Sequence, residues 1–164
     1  SVVTTNPIVE CSAITFFVPG FEKVFFKDVK QIFVAPPALR VPDDVVASLA
    51  AKGVSYEITE DLKAAVKVAD AVYMTRIQDE WDESKGESAR IDTSRFKFGA
   101  EELALLGPDG AIMHPLPRRD EIATCCDRDP RAMYWRQMRN GMWIRAALIA
   151  STFGLEKEIM NCGY

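Results

Sequence analysis

Residues 113–122 read Met-His-Pro-Leu-Pro-Arg-Arg-Asp-Glu-Ile. Each proline fixes its own φ and pushes the residue before it toward extended backbone, so His114 and Leu116 are expected to be constrained too. The product is a stiff loop with few N–H donors and fixed carbonyls, followed at once by Arg118, Arg119, Asp120 and Glu121. It leaves a short apolar run, Ala111-Ile112-Met113. Such a loop, at the carboxyl end of a parallel strand, is where open α/β sheets bind ligands. A second exit of this kind follows Ala71–Met74 and carries Arg76 and Gln78. Arginine supplies a planar, permanently charged fork that grips a carboxylate bidentately, which lysine does not. Each feature has a plainer alternative: a rigid strand exit with a solvated charge run, and a surface salt bridge at Arg76. Two such exits opening on one sheet edge favour a ligand site over either alternative.

The neighbouring residues are assigned supporting parts. His114 is the only histidine, and a lone histidine beside a buried strand is more often a structural hydrogen-bonding residue than a base. No proton transfer is assigned to it. Arg118 is expected to hold the loop or an anionic substrate, with Arg119 solvated. Asp120 and Glu121, being adjacent, point different ways; they are expected to anchor neighbouring arginines rather than form an acid–base dyad. Tyr134, Trp135, Met138, Met142 and Trp143 read as core or interdomain packing. No GxGxxG or P-loop is present, which disfavours dinucleotide and ATP binding. Cysteines stand at 11, 125, 126 and 162; with one histidine they make no zinc-ligand spacing, so no metal or other cofactor is expected. The pattern is that of free thiols in a reducing compartment, the cytoplasm or an organelle interior.

Three stretches carry a resemblance. Met113 to Glu121 looks like the HPLPR-x-DE signature of aspartate carbamoyltransferases, which join carbamoyl phosphate to L-aspartate in pyrimidine synthesis. Tyr73 to Gln78 is similar to the family's YMTRIQ, and Asp129 to Gly141 to its DPRAAYFRQ-x-x-NG. The resemblance covers roughly residues 29–154, the aspartate-binding half of such an enzyme. It implies that Arg76 meets a carboxylate of the substrate, with Gln78 alongside. It also implies that the carbonyls of Pro115 and Leu116 accept hydrogen bonds from the carbamoyl group and from the amine that arrives as nucleophile. His114, Arg118, Asp120 and Glu121 then support the loop.

Departures from the family pattern bear on activity. The S-T-R-T-R phosphate loop of the carbamoyl-phosphate half, with its own catalytic histidine, has no counterpart here. Neither has the GDLKYGRTVHSL-like segment that brings a second substrate-binding arginine; residues 1–30 contain no arginine. Gln78-Asp79-Glu80-Trp81 replaces a pattern usually ending in arginine. Catalysis of this kind depends on preorganised charges and positioned reactants, so half a site is not half an enzyme. The chain alone is therefore expected to be inactive, its aspartate binding weak or lost, with carbamoyl phosphate bound only through a missing domain. The alternative is a catalytically inactive structural subunit of a larger assembly. Other protein subunits are expected as partners under either reading.

The elements that must position these residues can be read from the pattern along the chain. The 164 residues, 48% hydrophobic and 27% charged with a net charge of −4, suit one globular domain and no nucleic-acid surface. No apolar run reaches the roughly 20 residues of a membrane helix. The chain begins at Ser1 without methionine, which reads as a processed or trimmed product, and no signal peptide is visible. Strand-like and helix-like segments alternate: strands over 31–35, 54–58, 71–74 and 111–113, and helices from Asp43, from Thr59 and over 100–106. A longer helix is expected to start at Asp129-Pro130 and run to about Phe153, roughly 36 Å at ~1.5 Å per residue. Gly141 inside it points to close packing there. The fold class is thus α/β: a Rossmann-like three-layer domain, a mostly parallel sheet of four to five strands, and a long C-terminal helix. Residues 1–30 form a divergent N-terminal segment, 31–154 the aspartate-binding domain and 155–164 a tail. Ala13–Val18 offers a fifth strand. Phe16, Phe17, Phe21, Phe25 and Phe26 are expected to bury partly against another polypeptide.

Overall fold

The computed structural model describes residues 2–5, 29–76 and 91–161. Five strands form one sheet: β1 (Val2–Thr5), β2 (Lys30–Val34), β3 (Ser55–Thr59), β4 (Ala71–Tyr73) and β5 (Ala111–Met113). All pairings are parallel, in the order β3-β2-β1-β4-β5. Strand β1 pairs Val3 with Ile32 on one side and with Val72 on the other. The chain therefore runs outward through β2 and β3, then returns to the far side of β1. That reversal is the topological switch point at which open sheets bind ligands, beyond the carboxyl ends of the strands.

The Rossmann-like parallel sheet expected from the sequence is present. Among the described residues Val2–Thr5 is a strand that the sequence reading did not include, and it sits in the centre of the sheet; the run Ala13–Val18 and the five phenylalanines from Phe16 to Phe26 lie outside the described residues. Consecutive residues Ile32, Phe33 and Val34 are all buried, as a strand covered on both faces requires. Strand β3 lies at the sheet edge, with Glu57 paired to Lys30 of β2 at 2.5 Å; charge on an edge strand discourages further strand addition.

Helices α1 (Asp43–Ala51), α2 (Leu62–Lys67) and α3 (Ala100–Leu105) lie in the crossovers from β2 to β5, and α4 (Tyr134–Thr152) and α5 (Glu156–Asn161) follow β5. On α2, Leu62, Ala65 and Val66, with Ala69 just past its end, fall at i, i+3, i+4 and i+7 and pack on Ile32, Val34, Val72 and Ile112. Burying a leucine or valine here contributes about 1.5–3 kcal/mol each. Asp61, not Thr59, caps α2: its carboxylate accepts from the Ala64 N–H at 2.9 Å, while the Thr59 hydroxyl accepts from the Asp61 N–H. Asp43 is likewise the first helical residue after Pro42, making no side-chain cap. Helix α3 is held at its start by the Glu102 carboxylate, which accepts the Gly99 N–H at 2.9 Å. The turn into β5 needs Gly110, where a Cβ would lie 2.6 Å from the Leu106 side chain.

The long helix begins four residues later than the Asp129-Pro130 pair suggests, with Met133 as its N-cap and Tyr134 as its first residue. Asp129 spends its carboxylate on Arg131, accepting from the backbone N–H at 2.9 Å and from the guanidinium at 2.8 and 3.0 Å. Residues 131–133 meanwhile run beside β5, with Ile112 N–H bonded to Arg131 and Met133 N–H bonded to Ile112, both at 2.8 Å. Only then can α4 start, so its 19 residues span about 29 Å. Among the described residues no close packing is found at Gly141, where an added Cβ would meet the Arg145 guanidinium at 3.7 Å. Tyr134 is fully buried, whereas Trp135, Met138, Met142 and Trp143 are about half exposed and are not core residues of the described structure.

Candidate functional site

The loop after β5 is tied down by its own side chains. His114 is buried, and its Nδ1 accepts the Leu116 N–H at 2.8 Å. A nitrogen that accepts carries no proton, so the hydrogen is on Nε2, which donates to Glu121 Oε1 at 2.6 Å. The same Glu121 carboxylate accepts the Arg119 N–H at 3.1 and 3.2 Å. Burial works against ionising Glu121, but the His114 ring and the backbone N–H groups outweigh it and hold the carboxyl below its usual range.

Leu116 departs from the expected extended backbone: its φ is 54°, and the Leu116–Pro117 peptide is cis. The left-handed region costs a leucine about 1–2 kcal/mol, which the bond to His114 helps offset. Among the described residues, no hydrogen bond goes to the carbonyl oxygens of Pro115 and Leu116. Two acceptors on a rigid loop are thus left for an outside donor.

Arg118 anchors the far end. Its guanidinium forks onto Asp127 at 2.5 and 2.6 Å and reaches the Tyr134 hydroxyl at 3.4 Å. Its Cζ also lies 5.5 Å from the Tyr134 ring centroid and 5.6 Å from that of Trp135. The Tyr134 hydroxyl donates to Asp127 Oδ1 at 2.6 Å. Hydrogen bonding raises the Arg118 pKa and lowers that of Asp127, while burial, then Asp127, pushes the Tyr134 hydroxyl up. Asp120 and Glu121 do not serve as side-chain anchors for arginines in the way expected: Asp120 pairs with Lys97, and Glu121 with His114 and a backbone N–H.

Arg76 follows β4 on the neighbouring side of the switch point, half-buried beyond Met74. The register gives its placement. Tyr73 pairs with Met113, so Arg76 and Leu116 each stand three residues past one paired rung. The ladder runs as far as the Met74 N–H on the Met113 carbonyl at 2.9 Å. Gln78 lies outside the described residues. A cavity of about 630 Å³ between α2, residues 94–98 and α3 touches the loop only at Asp120 and Ala123 and includes neither Arg76 nor the two carbonyls. Lys63–Glu101 and Lys97–Asp120 pairs neutralise much of its charge.

Several residues of this region carry no local signal in sequence. Asp127, nine residues from Arg118, fits no helical or strand period. Gln137 sits inside a motif without showing its partner: its Oε1 accepts the His114 N–H at 3.0 Å and its Nε2 donates to the Tyr73 hydroxyl at 3.2 Å. Cys125 is exposed and Cys126 buried, with sulfurs 4.0 Å apart; burial, then Cys125, pushes the Cys126 thiol up to about 12 and makes it inert. Among the described residues, no group of three or more metal-ligating side chains assembles, and no helix is long and apolar enough to cross a membrane.

With this geometry in place, the likenesses to known proteins are specific. The family described as "Aspartate/ornithine carbamoyltransferase, Asp/Orn binding domain" matches residues 24–152. The chain is 40% identical over 124 residues to the chloroplastic aspartate carbamoyltransferase of Arabidopsis thaliana, covering 76% of this chain and 32% of that protein. It superposes on the catalytic subunit of M. jannaschii aspartate transcarbamoylase with a TM-score of 0.74 and 28% identity, over 98% of this chain and 49% of the other. The Trypanosoma cruzi aspartate transcarbamoylase in complex with aspartate and phosphate gives 0.70 and 29%, over 90% and 45%. The chain thus spans about a third of the Arabidopsis relative and half of the solved chains.

Proposed function

The chain belongs to the aspartate/ornithine carbamoyltransferase family, and from that premise we propose that it supplies the L-aspartate side of carbamoyl transfer. The observation that carries this reading is the paired placement of Arg76 and the open Pro115 and Leu116 carbonyls, just past one rung of the sheet. Arg76 takes a carboxylate of the amino acid, with Gln78 beside it. The two carbonyls take hydrogens of the amine and of the carbamoyl group. The amine nitrogen attacks the carbamoyl carbon of carbamoyl phosphate, the carbon–oxygen bond to phosphate breaks, and phosphate departs with that electron pair and takes up the proton the amine gives up. This reading leaves the phosphate to groups other than those named, since no S-T-R-T-R loop occurs in the sequence.

Titrating the ¹⁵N-labelled chain with L-aspartate, with L-ornithine as control, tests the reading. Aspartate is expected to bind at millimolar strength or weaker, about −4 kcal/mol, shifting amides at 75–76 and at 116. Arg76→Ala should abolish those shifts. Identical shifts in wild type and variant would remove Arg76 from the site.

A second reading has its own support. The arginine-free residues 1–30 and the Gln78-Asp79-Glu80-Trp81 replacement favour a non-catalytic building block of a larger assembly. That reading expects no aspartate-dependent shift at all, and a change in particle mass when the partner is added.

A further inference from the structure

We propose that Gln137 is a positioning residue whose side-chain amide sets the spacing between the Arg76 segment and the Pro115–Leu116 carbonyls. The inference rests on the aspartate-site reading above. Gln137 lies in the first turn of α4, half-buried, with its own N–H fixed to the Met133 carbonyl at 2.8 Å. The amide orientation is determined by its partners. A backbone N–H can only donate, so the oxygen must face His114, which leaves the nitrogen to donate to the Tyr73 hydroxyl.

Tyr73 is the last residue of β4 and His114 the first after β5. Both are buried. One side chain from a helix thus adds a rung where the backbone ladder between the two strands gives out. Everything proposed to touch substrate leaves from the two ends of that rung. Arg76 is three residues past Tyr73; the Pro115 and Leu116 carbonyls are one and two past His114. The His114 residue held through its backbone by Gln137 also holds the Leu116 N–H through its ring. The fixed direction of the Leu116 carbonyl is therefore linked to α4 through two successive hydrogen bonds. Reacting groups misplaced by about 1 Å can lose most of a rate advantage, so such a rung matters more for the site than for the fold.

Three substitutions separate the roles. Gln137→Met keeps the length and removes both bonds. Gln137→Glu keeps an acceptor for the His114 N–H and removes the donor to Tyr73. Tyr73→Phe removes one end only. His114 is the sole histidine, so its ring ¹⁵N signals are unambiguous and report the loop directly. In the 164-residue chain we expect aspartate to bind about tenfold more weakly to Gln137→Met, a loss of the order of one lost hydrogen bond. Tyr73→Phe and Gln137→Glu should each weaken binding a few-fold. The His114 ring signals and Leu116 amide exchange should change in Gln137→Met and be restored in Gln137→Glu.

A folded Gln137→Met chain that binds aspartate like wild type, with unshifted His114 signals, overturns the proposal. If Gln137→Met does not fold, Tyr73→Phe binding like wild type, or Gln137→Glu failing to bind, overturns it instead. If the wild-type chain binds no aspartate, the functional reading fails separately. The amides then decide: coupled shifts at both 75–76 and 116 in Tyr73→Phe support the rung, and shifts confined to residues near 73 refute it.

Discussion

The loop at 113–121 and the second half of α4 are built on opposite terms. In the loop, His114, Arg118, Asp120 and Glu121 each have a named partner within the chain. On α4 and just past it, Met138, Met142, Ile144, Leu148, Ile149, Phe153 and Leu155 are largely exposed, Phe153 at 73%. Along α4 these apolar side chains are interspersed with exposed Arg136, Arg139, Asn140 and Arg145, so its open surface is mixed. The loop thus carries its own support, while among the described residues the apolar side chains of the helix are left uncovered. Order in the loop does not require the helix to be covered.

The largest test of that contrast is activity. The 164-residue chain by itself should make no carbamoyl aspartate above a heat-killed control in a ureido assay, however well its loop is ordered. Clear turnover would mean that the loop side suffices.

Stability gives the next largest effect. Asp127→Ala leaves the mostly buried Arg118 without its fork partner, side-chain exposure being 14%. The expected loss is about 3 kcal/mol, read from urea unfolding. A loss under about 1 kcal/mol would place the Arg118–Asp127 pair among ordinary surface pairs. Met142→Lys and Ile149→Lys on α4 should by contrast stay within about 0.5 kcal/mol while raising solubility. A cost of about 2 kcal/mol or more would show that these side chains are already packed, and the contrast would fail.

The smallest effect is in acid. Hydrogen bonds from Arg131 lower Asp129 from 3.8 to about 2. A lowered carboxyl pKa means that the folded state binds protons less readily than the unfolded one. Its stabilisation is therefore complete above about 4 and is lost as pH falls toward about 2. Asp129→Asn should flatten the stability–pH curve in that window and leave the neutral-pH plateau sloped as before. An unchanged acid slope would mean that Asp129 adds nothing to stability in acid.

How much of the fold and the site is legible in sequence depends on range. Strand β2 and helix α2 announce themselves by local pattern, because Ile32–Val34 and Leu62–Ala69 are buried through their own periodicity. Val2–Thr5, four β-branched residues in a row, carries strand propensity too, but nothing in so short a run says it will be central. Capping residues misplace the start of α4 because they are read locally, whereas Asp129 is spent on Arg131 and residues 131–133 on β5. Leu116 escapes the extended backbone expected of it, since the pre-proline rule is a tendency and a bond to His114 Nδ1 wins against it. At the site, residue types can be read from the exits, but the partners Asp127, Tyr134 and Gln137 arrive from other elements. Nothing in chain spacing reveals them.

One consequence concerns protons. The only imidazole in the chain has both nitrogens committed, one receiving the Leu116 N–H and the other giving its hydrogen to Glu121. The ring therefore serves to hold the loop's shape. Under the aspartate-site reading proposed above, the fixed carbonyl dipoles would favour the ammonium form of an arriving amino acid over its free amine. On that same reading the proton must leave to a group outside the loop, the departing phosphate being one with the chemistry to take it, so that holding the nucleophile and unmasking it would fall to different groups.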